Sequence, residues 1–349
     1  MNLLRKVLFP FAILYGLVTS IRNLLFDKGI LKAYTFDMPI IAVGNLSVGG
    51  TGKTPQIEYL IRLLSDHYKI ATLSRGYKRE SKGFVLAQAN ANAKILGDEP
   101  FQFFEKFKNI QVAVDSDRKN GIEQLLLQPE KPDVILLDDA FQHRRVKAGF
   151  YILLTSYGDL YANDWILPTG NLRESKSGAQ RANVIVVTKC PVNLTLQEQE
   201  EITKRLKLSA KQKVYFTGVV YDSCVYNGKS KKEISNIQLV PKVLIAGIAK
   251  PEPFFDFLKN PNDECLTFPD HHQFTATDLS EIKKIAQRKI IITTEKDFVR
   301  LKGSLPSEQL FYLPIQSSFL NEPDGEQSLQ EQNFNKTIIE YVGASTRNS

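Results

Sequence analysis

A chain of 349 residues, 43% apolar and 24% charged, describes a folded soluble body large enough to divide into two domains. Its three cysteines, Cys190, Cys224 and Cys265, are scattered and odd in number, which argues against both a disulfide framework and a zinc site and fits a reducing compartment. The formal charge of +7 suits an anionic membrane surface, an acidic substrate or nucleic acid, and does not choose among them.

The first element, within residues 1–32, is a run from Val7 to Ile21 without a charge, flanked by Arg5 and Lys6 before it and by Arg22, Lys28 and Lys32 after it. With Pro10 and Gly16 inside, it is short for a spanning helix, which needs about 20 apolar residues. A basic-flanked helix lying in the membrane interface, a secretory signal and a helix packed on the protein's own core are the three readings. The first is preferred, because Ser47-Val48-Gly49-Gly50-Thr51-Gly52-Lys53-Thr54 marks a nucleotide-binding chain, which export would separate from cytoplasmic ATP.

Next comes the strand-like run Ile40 to Val43, followed by Ser47-Val48-Gly49-Gly50-Thr51-Gly52-Lys53-Thr54 and an amphipathic helix over Gln56 to Leu64. Strand, glycine loop and helix in that order define a phosphate-binding P-loop. Glycines let backbone N–H groups turn inward, Lys53 places charge on the transferable phosphate, and the Thr54 hydroxyl is placed to ligate Mg²⁺. Ser47 stands where the general pattern has Gly, and a chance Gly-Lys-Thr turn is the alternative. After a second strand at Lys69 to Leu73, Gly97-Asp98-Glu99-Pro100 opens the helix of Phe101 to Phe107. Spacing alone favours Asp98 as a helix cap, whereas a kinase acting on an alcohol needs a base outside the phosphate cradle. The strand Val134 to Leu137 ends in Asp138-Asp139, as a Walker B element holding Mg²⁺ would.

Strands at Tyr151 to Leu154 and Val184 to Val187 complete a mostly parallel α/β sheet flanked by helices. Thr188-Lys189-Cys190-Pro191 lacks the Asp expected of a guanine reader, so ATP is preferred to GTP. Residues 33–212 form the P-loop domain, and 213–240, with its Asn227-Gly228 turn, reads as a two-stranded β linker. A smaller α/β domain spans 241–335, with Glu322 to Gln332 as a loop, and 336–349 is a terminal segment disordered after Gly343. Of the histidines, His67 reads as a surface residue, His143 as a supporting group near the acids, and His271 with His272 as loop residues unless a domain cleft brings one to the site. Arg75, Arg118, Arg173 and Lys296 fall at strand ends, where phosphate contact and solvated surface are equally open.

Taken as an ordered set, these motifs are specific. Val43-Gly44-Asn45-Leu46 with the P-loop, Ser74-Arg75-Gly76-Tyr77, Gly97-Asp98-Glu99-Pro100, Asp138-Asp139-Ala140-Phe141-Gln142-His143-Arg144, Leu167-Pro168-Thr169-Gly170 through Arg173-Glu174, Phe268-Pro269-Asp270-His271-His272 and Thr294-Glu295-Lys296-Asp297 together resemble the tetraacyldisaccharide 4'-kinase family of lipid A biosynthesis. The resemblance covers about residues 38–301 and removes the weight of the Ser47 departure. It implies transfer of the ATP γ-phosphoryl group to the 4'-hydroxyl of a tetraacylated disaccharide 1-phosphate, at the cytoplasmic leaflet of the inner membrane. It further implies Asp98 as base with His271 beside it, Asp138 and Asp139 on the metal side, and substrate, phosphate or metal contacts for Arg118, Arg173 and Glu174. Neither nucleic acid nor an obligate protein partner is expected. An ATPase switch or metal-delivery chaperone, and a kinase of a soluble metabolite, are the rival functions.

Overall fold

The computed structural model describes residue 5 and residues 7–270, 272–320 and 328–346. The chain begins with α1 (Phe9–Asp27) and continues through β1 (Ile40–Asn45), α2 (Lys53–Leu64), β2 (Ile70–Ser74), β3 (Val85–Leu86), α3 (Asp98–Lys106), β4 (Gln111–Val114), α4 (Arg118–Leu126), β5 (Val134–Asp138), β6 (Phe150–Ser156), β7 (Val184–Thr188), α5 (Leu196–Leu206) and β8 (Lys213–Tyr221). A second unit holds β9 (Cys224–Tyr226), β10 (Lys231–Glu233), β11 (Lys242–Ala246), α6 (Glu252–Leu258), β12 (Glu264–Thr267), α7 (Ala276–Ala286), β13 (Ile290–Thr294), α8 (Glu295–Leu301) and β14 (Leu310–Leu313). The chain then returns through β15 (Ile315–Phe319) and closes with α9 (Leu329–Thr346).

The larger sheet runs β15-β8-β7-β6-β1-β5-β2-β4-β3 and is parallel except at its two edges. β1 lies between β5 and β6, with Val43 beside Asp138, so the P-loop and the acidic strand end leave the same edge of the sheet. That placement follows from burial. Every residue of β1, β2, β5 and β7 is buried, as strands covered by helices on both faces must be. On one face Ile57, Leu60, Ile61 and Leu64 of α2 pack with Phe334, Ile338 and Val342 of α9. On the other, Ile122 and Leu125 of α4 cover Ile40, Ala42, Ile135 and Leu137. α5 starts at a capping box in which the Thr195 side chain and Glu198 exchange hydrogen bonds with each other's backbone.

The smaller sheet runs β10-β9-β14-β13-β11-β12, with Leu244, Ala246, Ile292 and Phe311 in its core. Asn227-Gly228 makes a turn, as expected, but it joins β9 to β10 inside this sheet. The two strands between the units are β8, running out, and β15, running back antiparallel to it. A local turn signal could not show that β8 pairs with a strand so distant in sequence. α9 also differs from the expected loop and tail. Phe334, Ile338 and Val342 recur every four residues and are fully buried, and the Tyr341 hydroxyl accepts from the Ile40 N–H and donates to its carbonyl oxygen at 3.1 Å. The segment 328–346 therefore belongs with the larger sheet, and residues 344–346 are helical.

α1 is 19 residues long and apolar enough to cross a membrane by length and composition. Only Ala12 and Gly16 are buried on it, and Phe11, Ile13, Leu14, Leu17, Val18, Ile21 and Leu24 face outward. Its polar edge is tied to the body: the Tyr15 hydroxyl donates to the Arg173 carbonyl, Asn23 to Glu174 at 2.6 Å, and Arg144 to Asp27 at 2.6 Å.

Candidate active site

At the end of β1 the chain turns into the P-loop, and Gly52 takes φ +81°, a left-handed conformation that glycine adopts without the Cβ clash other residues suffer, immediately before α2 begins at Lys53. The loop is braced from two sides. Val48 donates its N–H to the Asn171 carbonyl and Arg173 donates to Leu46, both at 2.8 Å, while Asn45 Nδ2 reaches the Ser47 carbonyl at 2.6 Å. From β7, Thr188 Oγ1 donates to the Thr51 carbonyl at 2.8 Å and Lys189 Nζ to the Gly50 carbonyl at 2.6 Å. These contacts occupy the Val48 N–H and tie down the carbonyls of Gly50 and Thr51, which leaves the N–H groups from Gly49 onward for an anion.

Lys53 Nζ lies 3.3 Å from Asn45 Oδ1 and 3.5 Å from Asp139 Oδ1. Arg173 grips both oxygens of Asp139, at 3.1 and 3.2 Å, and also reaches Asn45 and Gln142. Burial alone would raise the Asp139 pKa, but Lys53 and Arg173 outweigh it and hold the carboxyl below its usual range. Asp138 behaves oppositely. It is buried, accepts from Ser74 Oγ at 3.3 Å, and is pushed up to about 6 by burial and by the charge of Asp139. Gly44 permits this arrangement, since a Cβ there would fall 2.7 Å from Phe141 Cβ and push the turn after Asp139 away from β1.

Arg118, 2% exposed, donates to the carbonyls of Asp115 at 2.8 Å and Asp138 at 3.0 Å, so it braces the strand end, and burial lowers its pKa to about 10. Glu174 is saturated, with Arg181 at 2.8 Å and Gln142 at 3.0 Å on one oxygen and Asn23 at 2.6 Å on the other. Among the described residues no three Asp, Glu, His or Cys side chains form a metal-holding group, and the oxygens of Glu174 are taken by donors. Its charge is answered by Arg181, which a sequence pattern has no means of showing.

Asp98 is the first residue of α3, one place after the cap position, which Gly97 holds. Its Oδ2 accepts from Arg300 Nε at 3.0 Å and Nη2 at 2.5 Å, across the boundary with the second unit. Next to it Glu99 pairs with Lys296 at 3.1 Å. Glu99 adds to the negative field on Asp138, and Lys250 and Lys296 add to the positive field that, after burial, lowers the Lys189 pKa. Glu99 at the start of α3 and Lys250 and Lys296 of the second unit therefore lie close enough to the P-loop side of the sheet to act on the charges of Asp138 and Lys189. His271 lies outside the described residues. His272 pairs with Asp278 at 2.9 Å and stacks on Phe268, a packing role. His143 has a buried Nε2 without a partner among the described residues, and burial lowers its pKa to about 4.

Sequence reasoning assigned no role to Asn45, Gln142, Lys189 or Arg300. Asn45 and Gln142 stood inside quoted motifs, but their work is to connect side chains, and such connections are made by folding.

A P-loop at the end of a central parallel strand, with paired acids on the neighbouring strand and a second unit ion-paired to the helix that bears Asp98, defines a P-loop phosphotransferase. A family model described as tetraacyldisaccharide-1-P 4'-kinase (LpxK) matches residues 4–333. The tetraacyldisaccharide 4'-kinases of Flavobacterium johnsoniae and Flavobacterium psychrophilum are 65% and 61% identical, covering 98% and 100% of both chains respectively. The crystal structure of LpxK from Aquifex aeolicus in complex with ATP superposes with a TM-score of 0.77 at 29% identity, covering 97% of this chain and 100% of that one. The chain belongs to the tetraacyldisaccharide-1-P 4'-kinase family. Membership makes it an ATP-dependent kinase of lipid A biosynthesis.

Proposed function

We propose that the cleft between the P-loop and the second unit transfers the γ-phosphoryl group of ATP to the 4'-hydroxyl of a tetraacyldisaccharide 1-phosphate, with Asp98 as the base. The observation that carries this reading is the joining of Lys53, Asp139 and Arg173 in one charge network at the end of the P-loop strand, with Asp98 held by Arg300 of the second unit. The loop amides and Lys53 bind the phosphates, Arg173 orients Asp139, and Arg300 aims the Asp98 carboxylate so that it receives the sugar hydroxyl proton during in-line attack. His271 is the candidate for the base's partner.

The donor set also fits Mg²⁺. Thr54 is the second residue of α2, after the P-loop, and the buried Asp138 ends the strand beside β1, its pKa raised by burial and by the charge of Asp139, a charge that a divalent cation would relieve. Thr54 with Asp138 or Asp139 would hold it, and once bound it would neutralise charge on the phosphate oxygens. Glu174 acts here as an organiser, since its oxygens already tie α1 and Gln142 to the site.

An enzyme whose acceptor is acylated must work at a bilayer, and the outward face of α1 supports attachment to the cytoplasmic leaflet of the inner membrane. Trp165 lies edge-on to Phe9 at 5.8 Å and is half exposed, extending the apolar face with an interfacial residue type. Arg22, Lys28 and Lys32 supply charge for anionic lipid. Substituting Leu14 and Leu17 with Gln should cost about 3 kcal/mol of partitioning, roughly a hundredfold in vesicle binding. Because neither side chain is buried, the fold should be unchanged. Unaltered sedimentation with anionic vesicles would refute the attachment.

The reaction is tested by incubating the protein with labelled ATP and extracted membrane lipids. Label should enter a glycolipid. ATP hydrolysis that requires a protein partner, with no labelled lipid, would favour a switch ATPase instead.

A further inference from the structure

α3 carries Asp98 at its first residue and Lys106 at its last. Lys106 Nζ lies 2.6 Å from Glu58 Oε2 on α2 and 2.6 Å from Glu295 Oε1 at the start of α8. Both carboxylates are buried, with side chains 1% and 7% exposed. Glu58 also accepts from Gln102 at 2.9 Å and from Arg62 at 3.3 Å, and Glu295 Oε2 accepts from the N–H of Ile315, where the chain returns to the larger sheet. One ammonium therefore joins the P-loop helix, the helix bearing Asp98, the second unit and the returning strand.

Buried ion groups of this kind rarely add net stability, because desolvation offsets their attraction. Their more secure effect is on geometry. Without Lys106, two buried carboxylates would face each other across the boundary between the units. Burial, which disfavours the ammonium, is outweighed by Glu58 and Glu295, and the Lys106 pKa is raised. The same pair of helices is joined again by Asp98 with Arg300, Glu99 with Lys296, and Glu105 with Lys302 just beyond α8. α3 is thus clamped at both ends, and its first residue is the base.

We propose that Lys106 is a positioning residue for phosphoryl transfer: by bridging Glu58 and Glu295 it sets where α3 lies between the P-loop helix and the second unit, and hence the reach of Asp98. The proposal rests on the reading of Asp98 as base. A misplacement of about 1 Å in a reacting group can cost on the order of 100-fold in rate.

The test uses the full-length protein with ATP and a tetraacyldisaccharide 1-phosphate. Lys106→Met should lower kcat about tenfold or more with the KM for ATP changed by less than about twofold, and Lys106→Arg should recover most of it. Should the Met variant not fold, Lys106→Gln keeps a donor without the charge and should show the same split. If Lys106 acts through Asp98, the double variant Asp98→Asn with Lys106→Met should be no slower than Asp98→Asn alone. Losses that multiply in the double variant, a fully active Lys106→Met, or a fall in kcat, ATP affinity and melting temperature together without rescue by Arg would each overturn the proposal. Full activity of Asp98→Asn would instead overturn the base assignment.

Discussion

Lys53→Ala is expected to lower kcat/KM by a factor on the order of 1,000 or more, because a phosphoryl transfer relies on fixed positive charge at the transferred group. The fold should survive the change. Lys53 stands at the first residue of α2 and its ammonium contacts Asn45 and Asp139, whereas the helix is held by Ile57, Leu60, Ile61 and Leu64 on its buried face. Asp139, partly exposed, would keep the two-pronged grip of Arg173, so its carboxylate is not left without a partner. Steady-state kinetics alongside thermal unfolding makes the comparison. A Lys53→Ala enzyme within tenfold of the parent would remove the P-loop from the mechanism, and a collapsed melting temperature would mean that structure rather than chemistry had been lost.

Asp98→Asn should lower kcat by about 100- to 10,000-fold, the range typical of a lost general base, with little effect on the KM for ATP. The amide is nearly the same shape, and its oxygen can still accept from Arg300, so the α3 to α8 contact should persist. The change removes the carboxylate charge and with it the capacity to take the hydroxyl proton, while Arg300 keeps Asp297 as an ion partner. Rapid-quench measurement of the chemical step would separate this from slow product release, and full activity would sink the assignment. The placement of Asp98 makes the prediction sharper than its motif does. A helix cap would bond to its own backbone, but this side chain crosses to the second unit.

The P-loop was legible because all its parts are contiguous: a buried strand, glycines, Lys53 and an amphipathic helix. Asp138 and Asp139 were legible for a related reason, since a hydrophobic run ending in acids marks a strand end whatever lies beside it. The opposite character of the two acids was not legible. Burial of Asp138 and the cations Lys53 and Arg173 on Asp139 decide it, and the two cations come from different segments. Glu174 shows the same limit, because Arg181, Gln142 and Asn23 occupy its oxygens. The linker was misread where a near turn, Asn227-Gly228, competed with a far partner, β15. α9 was missed because its buried stripe of Phe334, Ile338 and Val342 sits in an otherwise polar sequence.

The amino-acid sequence by itself determined the mostly parallel α/β sheet, the phosphate loop, the acidic strand end, the apolar basic-flanked start and, through the order of its motifs, the family. These depend on periodicity and spacing within short stretches, where the chain's own geometry sets what is near what. Only the tertiary structure decided that Asp98 pairs with Arg300, that Lys106 ties three helices together, that α1 shows its apolar side outward, and that the last helix belongs with the first sheet. Each of those is a contact between segments far apart in the chain, and burial and charge pairing select such partners only once the whole chain has packed.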